Sequence, residues 1–371
     1  MMKKVLILTN NDIGLYNFRK EIIKKLIESG YSVYISLPQG ERIQDLIDMG
    51  CIYYETPIDR RGMNLIKDLK LLILYKKIVK EIDPDVILSY TIKPNIYGGL
   101  IARLKKKKYI ANITGIGSVF QAENLIKKVI SFLYRFSLKK AEFVFFQNQE
   151  NMDIFEGNKI RGKKKLLIPG SGVNIHQFLP IAIDQEKESL DFIFIGRIMK
   201  EKGIEEYLYA AKKIKEEYKY CKFHIIGSME ELEYEKVLRK YVEEKIIIYH
   251  GFDKDIQKYI NNSDCVVLPS YHEGMSNVLL ESGASARPLI ASNISGCKEI
   301  IDENSNGYTF KVGDKEDLVK KINQFISLNK DERKCMGQKS RKKIENEFDR
   351  TIIVSKYKVV IDNLIGGDCN D

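Results

Sequence analysis

Thirteen short runs rich in β-branched and aromatic residues recur along this chain, and most are apolar from end to end. In the first half they are Lys4–Thr9, Tyr31–Leu37, Ile52–Glu55, Val86–Tyr90, Tyr109–Ile113, Phe143–Gln147 and Lys165–Ile168. In the second half they are Phe192–Gly196, Lys222–Ile226, Ile246–His250, Cys265–Pro269, Pro288–Ser292 and Tyr308–Val312. A strand with one wet face alternates apolar and polar residues, whereas a strand buried on both faces reads as an unbroken apolar run. Amphipathic stretches separate the runs, among them Tyr16–Ser29, Leu65–Glu81, Glu205–Tyr218 and Glu231–Glu243. Strand–helix alternation of this kind predicts doubly wound parallel α/β sheets.

At 371 residues the chain is long enough for two such units, and 44% apolar with 30% charged residues suits two full cores. The break falls best between Pro169 and Glu188, where Pro169-Gly170-Ser171-Gly172 is turn chemistry and Asp184-Gln185-Glu186-Lys187-Glu188 is polar. Six scattered cysteines, with no C-x-x-C, fit a reduced compartment and exclude a zinc ribbon or disulfide framework. The run Val5–Leu8 stops at Thr9, far short of a signal sequence, and no stretch has the ~18 uncharged residues of a membrane span.

The net charge of +10 is unevenly shared. Residues 1–180 hold 30 basic and 17 acidic side chains, so the first half carries all the excess. That excess calls for an anionic partner: a nucleic acid, an anionic lipid or a phosphorylated substrate. The lysine clusters lack any finger, helix-turn-helix or RNP signature, and Gly115-Ile116-Gly117 lacks the third glycine of a dinucleotide fingerprint, with Phe120 in its place.

Two segments of the second half could carry chemistry. In the first, a buried strand ends at Gly196-Arg197, and Lys202-Gly203 follows just before a helix. Arg197 and Lys202 then project from the carboxyl edge of the sheet, where two cations can neutralise a diphosphate, or else are solvated loop charges. In the second, a strand ends at Pro269, a loop carries Glu273 and Gly274, and a helix begins near Ser276. Amides of Met275, Ser276 and Asn277 at its N-terminus would form an anion site, and Glu281 lies two turns on. His272 beside Glu273 reads as a neighbouring or structural residue rather than a catalyst.

With both segments in order, the chain resembles a retaining GT-B glycosyltransferase of family 4 over nearly its whole length. The Ile13-Gly14 loop, the Pro169–Asn174 linker entry and the terminal helical stretch Asp349–Leu364 belong to the likeness. Asp59-Arg60-Arg61-Gly62, Tyr90–Asn95 and Asn112–Gly117 narrow it to bacterial enzymes that extend polyprenyl-diphosphate saccharides. The likeness implies two Rossmann-like domains facing across a cleft, residues 1–175 on the acceptor side and 176–347 binding nucleotide sugar, with 348–371 crossing back. Donor and acceptor would meet in that cleft as the domains hinge.

The same likeness implies roles. Arg197 and Lys202 would bind the nucleotide diphosphate, Glu273 the donor sugar and Glu281 the ribose. Gly196, Gly274, Met275, Ser276 and Asn277 would line the phosphate and sugar, His250-Gly251-Phe252 would place a backbone amide at the base, and Gly14 would let the first domain approach the sugar. Arg60, Arg61 and Lys93 would take the acceptor diphosphate, with no metal and no cofactor. Members of the family often carry a first-domain histidine near the reacting sugar, but the histidines here are 176, 224, 250 and 272. Thr114 or Asn112 would stand there instead, which suits a front-face reaction in which the leaving phosphate takes the acceptor proton.

The implied partners are a UDP-sugar, a polyprenyl-diphosphate saccharide and an anionic membrane surface, with no nucleic acid, on the cytoplasmic face of the inner membrane. Asn124–Lys140 fits that surface: Leu125, Val129, Phe132 and Phe136 share one face and Lys128, Ser131, Arg135 and Lys139 the other. A helix packed on its own sheet with a solvated lysine face would show the same pattern. Two rival functions stay open, a UDP-sugar epimerase or hydrolase on this scaffold and a non-catalytic basic module binding membrane or RNA.

Overall fold

The structure, a computed structural model, describes residues 2–59, 64–115, 125–181 and 187–366. The chain forms two compact units, Met1–Ser171 with Arg350–Asp371, and Gly172–Asp349.

The first unit holds strands β1 (Lys4–Leu8), β2 (Ser32–Leu37), β3 (Ile52–Glu55), β4 (Val86–Tyr90), β5 (Lys108–Ile113), β6 (Phe143–Phe146) and β7 (Lys164–Leu167). Its helices are α1 (Asp12–Glu28), α2 (Ile43–Asp48), α3 (Leu65–Ile82), α4 (Gly99–Leu104), α5 (Leu125–Leu138), α6 (Gln149–Gly157) and, from the other end of the chain, α13 (Arg350–Gly366). All strands run parallel in the order β3-β2-β1-β4-β5-β6-β7. Val5 and Ile7 face a cluster completed by Ile22 and Leu26 of α1 and Ile353 and Ile361 of α13. Leu6 and Leu8 face the opposite cluster, with Leu71 and Tyr75 of α3 and Tyr134 and Leu138 of α5. Two buried faces explain the unbroken apolar strands, each fully buried aliphatic side chain contributing about 1.5–3 kcal/mol.

The terminal helix is tied into this unit by polar groups as well. The Tyr357 hydroxyl donates to Asn112 Oδ1 at 2.5 Å, and Arg350 Nη1 reaches Glu21 at 2.9 Å. Helix α1 starts four residues before the expected Tyr16, because the Asn11 side chain accepts the Gly14 amide at 2.6 Å and caps it.

The second unit holds β8 (Leu190–Ile195), β9 (Cys221–Ile226), β10 (Ile248–Tyr249), β11 (Cys265–Leu268), β12 (Leu289–Ser292) and β13 (Gly307–Phe310). Its helices are α7 (Ile204–Glu217), α8 (Glu233–Glu243), α9 (Gln257–Asn262), α10 (Asn277–Ala284), α11 (Lys315–Ile326) and α12 (Lys330–Lys343). The strands are again parallel, in the order β10-β9-β8-β11-β12-β13. Phe192, Phe194 and Phe223 pack on one side against Tyr207, and Ile193, Ile195 and Val266 on the other against Leu279 and Leu280.

The units part at 171/172 and 349/350 rather than at the expected 175/176 and 347/348. Val173 donates its amide to the Phe348 carbonyl at 2.9 Å and bridges Asp349, and Val173, Phe178, Ile344 and Phe348 share one apolar cluster. Both connecting segments are thereby fixed within the second unit.

Candidate active site

Sheet order reverses between β8 and β11 in the second unit, and between β1 and β4 in the first. In open parallel sheets the carboxyl ends of the strands at such a reversal flank a crevice suited to ligands. The Gly196–Gly203 segment leaves β8 and the Pro269–Ser276 segment leaves β11, so both chemically marked segments lie at that place.

There Lys202 Nζ donates to Glu273 Oε1 at 2.6 Å, both side chains largely enclosed. Arg197 is more open, its Nη1 3.7 Å from Glu230 Oε1. The two loops are braced together by Tyr271, whose amide donates to the Glu201 carbonyl and whose hydroxyl donates to buried Glu206, each at 2.9 Å. Burial, then Glu206, pushes the Tyr271 hydroxyl up to about 12, so it remains a donor at neutral pH. Gly203, at φ +74°, allows no side chain: a Cβ would overlap the Pro269 carbonyl oxygen. Gly296, at φ +88°, lies equally close to the carbonyls of Glu273 and Gly274.

Helix α10 begins at Asn277, and the Ser276 hydroxyl caps it by accepting the Leu279 amide at 3.3 Å. The expected anion site of three amides is corrected at one position, since the Ser276 amide donates to the Gly296 carbonyl at 2.9 Å. Met275 is buried, and Glu281 lies on α10 about a turn past Asn277. Beside the Gly196 turn, Gly227 would place a Cβ on the Gly196 carbonyl, and its amide donates to the Gly251 carbonyl at 2.9 Å. That bond sets the His250-Gly251-Phe252 corner next to Arg197, with the Phe252 side chain 67% exposed. Glu230, Gly227 and Gly296 were not singled out by sequence reasoning. Their positions depend on contacts between separate loops, which no local spacing announces.

In the first unit the candidates fare differently. Gly14 lies in the first turn of α1 rather than in a loop, its amide is taken by Asn11, and a Cβ there would meet only that side chain, at 3.4 Å. Gly14 thus stands at the N-terminal turn of the helix that follows β1. Lys93 follows β4 and is paired with Asp68 of α3 at 2.7 Å. Asn112 is not a reactive group but a buried brace, donating to the Ser89 carbonyl at 2.9 Å and accepting from Tyr357. Thr114 follows β5 and is half-buried. Arg60 and Arg61 lie outside the described residues, as does Gly117. Among the described residues no group of three or more His, Cys, Asp or Glu side chains is arranged to hold a metal ion.

Helix α5 leaves its apolar stripe outward, as an interfacial helix would and as a helix packed by that stripe on its own sheet would not. Ser131, Tyr134, Ser137 and Leu138 pack inward, and Leu125, Val129, Phe132 and Phe136 are exposed. Helix α3 does the same with Leu65, Ile66, Leu69 and Ile73. Both helices pack on the segment 94–104.

Two doubly wound parallel units, each with a strand-order reversal, define a protein of the two-domain α/β class. Residues 4–148 match the family model described as Glycosyl transferase 4-like, and residues 179–343 match that described as Glycosyl transferases group 1. The chain belongs to this group, the family 4 glycosyltransferases. It is 28% identical to the Campylobacter jejuni N,N'-diacetylbacillosaminyl-diphospho-undecaprenol alpha-1,3-N-acetylgalactosaminyltransferase, with 96% of this chain and 98% of that one covered. It is 26% identical to the Escherichia coli UDP-Gal:alpha-D-GlcNAc-diphosphoundecaprenol alpha-1,3-galactosyltransferase, with 88% of each covered. A glycosyltransferase structure from Rickettsia africae aligns with a TM-score of 0.81 at 20% identity, covering 98% of this chain and 99% of that one, a likeness of fold. The expected GT-B class is thus the observed one: two parallel α/β sheets, of seven and six strands.

Proposed function

We propose that this enzyme moves a hexose or N-acetylhexosamine from a UDP-sugar to a polyprenyl-diphosphate-linked saccharide in the building of a surface glycan, with retention at the anomeric carbon. The observation that carries the reading is the Lys202–Glu273 pair across the β8/β11 reversal, with Arg197 beside it. The lipid-linked acceptor named for both bacterial relatives and the UDP-Gal donor named for the Escherichia coli one support the same chemistry.

Lys202 and Arg197 neutralise the donor diphosphate and the charge that grows on it as the glycosidic bond breaks. Once phosphate engages Lys202, Glu273 turns its oxygens to the hydroxyls of the donor sugar. The main chain at Met275 and Asn277 meets phosphate and sugar at the positive end of α10, Gly274 leaves room for their approach, and Glu281 accepts from the ribose diol. Gly196, Gly251 and exposed Phe252 receive the base. The acceptor oxygen bonds to the anomeric carbon on the face that the phosphate leaves. The bond from that carbon to the phosphate oxygen breaks, and the acceptor proton passes to the departing phosphate. Positive side chains and the helix dipole supply what this step needs, so the reading invokes no metal or cofactor.

The acceptor diphosphate falls to the first unit, where Lys93 shares itself between Asp68 and the ligand, with Arg60, Arg61 and Thr114 as further contacts. The apolar stripes of α3 and α5 rest on anionic bilayer, which also holds the acceptor lipid. Exposed Leu65, Leu69, Phe132 and Phe136 are flanked by exposed Lys70, Lys76, Lys128 and Arg135. Arg103 stacks 4.2 Å over the Phe136 ring. Apolar side chains ringed by cations, on the unit that holds the excess positive charge, match an anionic lipid surface. No helix among the described residues is long and apolar enough to cross a membrane.

Labelled UDP-GalNAc, UDP-Gal and UDP-Glc, each offered with undecaprenyl-diphosphate saccharide, test the reading. Label passing into the organic-extractable lipid fraction supports it. Label passing only into free sugar or into an epimeric UDP-sugar rejects it for the hydrolase or epimerase alternative.

A further inference from the structure

Strand β10 has two residues and forms the edge of its sheet, paired only through Ile248 opposite His224 and Tyr249 opposite Ile225. Beyond it the His250 amide donates to the Ile225 carbonyl and the Gly227 amide to the Gly251 carbonyl, each at 2.9 Å, a first anchor of the His250-Gly251-Phe252 corner. A second anchor crosses the face of the sheet. His224 Nδ1 lies 3.0 Å from His250 Nε2, and His224 Nε2 lies 3.5 Å from Asp191 Oδ2 on β8. The imidazoles are within 15° of parallel, and the Tyr259 ring of α9 packs 4.9 Å from that of His250.

The order of atoms dictates where the protons sit. Asp191 also faces Lys187 Nζ at 3.0 Å, and its amide donates to Asp264 Oδ2 at 2.7 Å. Burial alone would raise the Asp191 carboxyl, but hydrogen bonds from His224 and Lys187 outweigh it and hold it at about 2. As a carboxylate it only accepts, so it favours the His224 tautomer with the proton on Nε2. His224 Nδ1 is then an acceptor, and His250 must donate from Nε2. The far nitrogen of His250, Nδ1, is left as the acceptor of the chain. Around His250 the charged groups are His224 on β9 and, past Tyr259, Asp253, which accepts from the Tyr259 hydroxyl at 3.1 Å and from Lys258 at 2.7 Å.

We propose that Asp191, His224 and His250 form a polar chain, a 3.5 Å contact from Asp191 to His224 and a 3.0 Å hydrogen bond from His224 to His250, that holds the His250–Phe252 corner in place for the nucleoside of the donor, with His224 as the positioning residue. This rests on the donor reading above. The corner is coupled to the diphosphate side of the site through Gly227, whose amide bonds the Gly251 carbonyl and whose Cα abuts the Gly196 carbonyl. The Tyr249 hydroxyl adds a third tie, to the Gly227 carbonyl at 2.9 Å. A shift of His250 is therefore passed to the loop bearing Arg197. The chain also accepts one proton without breaking, on His250 Nδ1. A second proton would put hydrogens on both nitrogens across the 3.0 Å gap, and the corner would be released.

The test titrates UDP into the full chain at pH 7.5 and 5.5, and records histidine nitrogen spectra. Wild type should show the Nε2–H tautomer at both His224 and His250. His224→Phe keeps a flat ring but has no nitrogens, and should weaken UDP at least fivefold while saturating donor restores turnover to within twofold. His224→Gln can donate to Asp191 and accept from His250, and should recover UDP binding to within twofold of wild type. UDP binding by His224→Phe equal to wild type at both pH values would overturn the positioning role. The Nδ1–H tautomer at His224 would overturn the chain, whatever the binding. Absence of UDP binding by wild type would overturn the donor reading and the nucleoside role with it, while the tautomers would still report on the chain.

Discussion

Lys202 Nζ sits 2.6 Å from Glu273 Oε1, joining two loops that leave adjacent strands of the second sheet. The two are paired in the free enzyme, and on the proposed function a donor diphosphate would compete for the lysine. Lys202→Ala and Glu273→Ala should each cut turnover by about 100-fold or more, the scale of losing one preorganised group that meets transition-state charge. The double variant should lose less than the product of the two, because the residues act through one contact. Steady-state rates with the melting curves of all three proteins check this. Wild-type rates in both single variants would remove the pair from the site.

Gly203→Ala tests the packing beneath the pair. The added methyl meets the Pro269 carbonyl at a backbone angle of φ +74°, so the β8 and β11 loops must separate. A loss of roughly 1–3 kcal/mol is expected from strain at such a position, with activity falling further than stability. Urea unfolding midpoints and donor KM report the two effects separately.

On the first unit, Leu69→Glu with Phe132→Glu should lower co-sedimentation with anionic vesicles by about tenfold or more, since apolar area is lost and two like charges face the lipid. Both side chains are more than half exposed, so melting should shift little. Raising the salt should weaken wild-type binding partially, leaving the apolar part. Unchanged sedimentation would separate these helices from the membrane.

Tyr357→Phe removes the donor to Asn112 Oδ1 and leaves a buried amide oxygen unpaired, which costs about 1–3 kcal/mol. Chemical denaturation measures it. A null effect would mean that this bond adds nothing measurable to the hold on the terminal helix.

Acid stability offers a signed check. Asp191 is held at about 2 against an ordinary 3.8, so its contribution is complete above 3.8 and is lost as the pH falls towards 2. His250 is lowered below 6.5, by burial and then by His224, so stability also declines as the pH drops below 6.5. Asp191→Asn should flatten the first decline, and His250→Phe the second, in melting temperature against pH.

The central strands were legible because burial on both faces leaves an unambiguous apolar run: Val86–Tyr90, buried throughout, was read to the residue. Ile246–His250 shrank to two residues at the sheet edge, where nothing pairs beyond β10 to extend the ladder. Arg197, Lys202 and Glu273 were found because each follows a recognisable strand. Their contacts were not, since Glu230, Gly227 and Gly296 arrive from loops distant in sequence. The α5 pattern was seen, but periodicity does not say which stripe faces inward; Tyr134 and Leu138 decide that by filling the space under the sheet. The matching stripe of α3 went unremarked for the same reason.

The most direct test of the central claim follows UDP release from a panel of UDP-sugars, with and without a short-chain polyprenyl-diphosphate saccharide, in the presence of EDTA. The account predicts release from one or a few donors only when acceptor is present, undiminished by the chelator. Equal release without acceptor would contradict it.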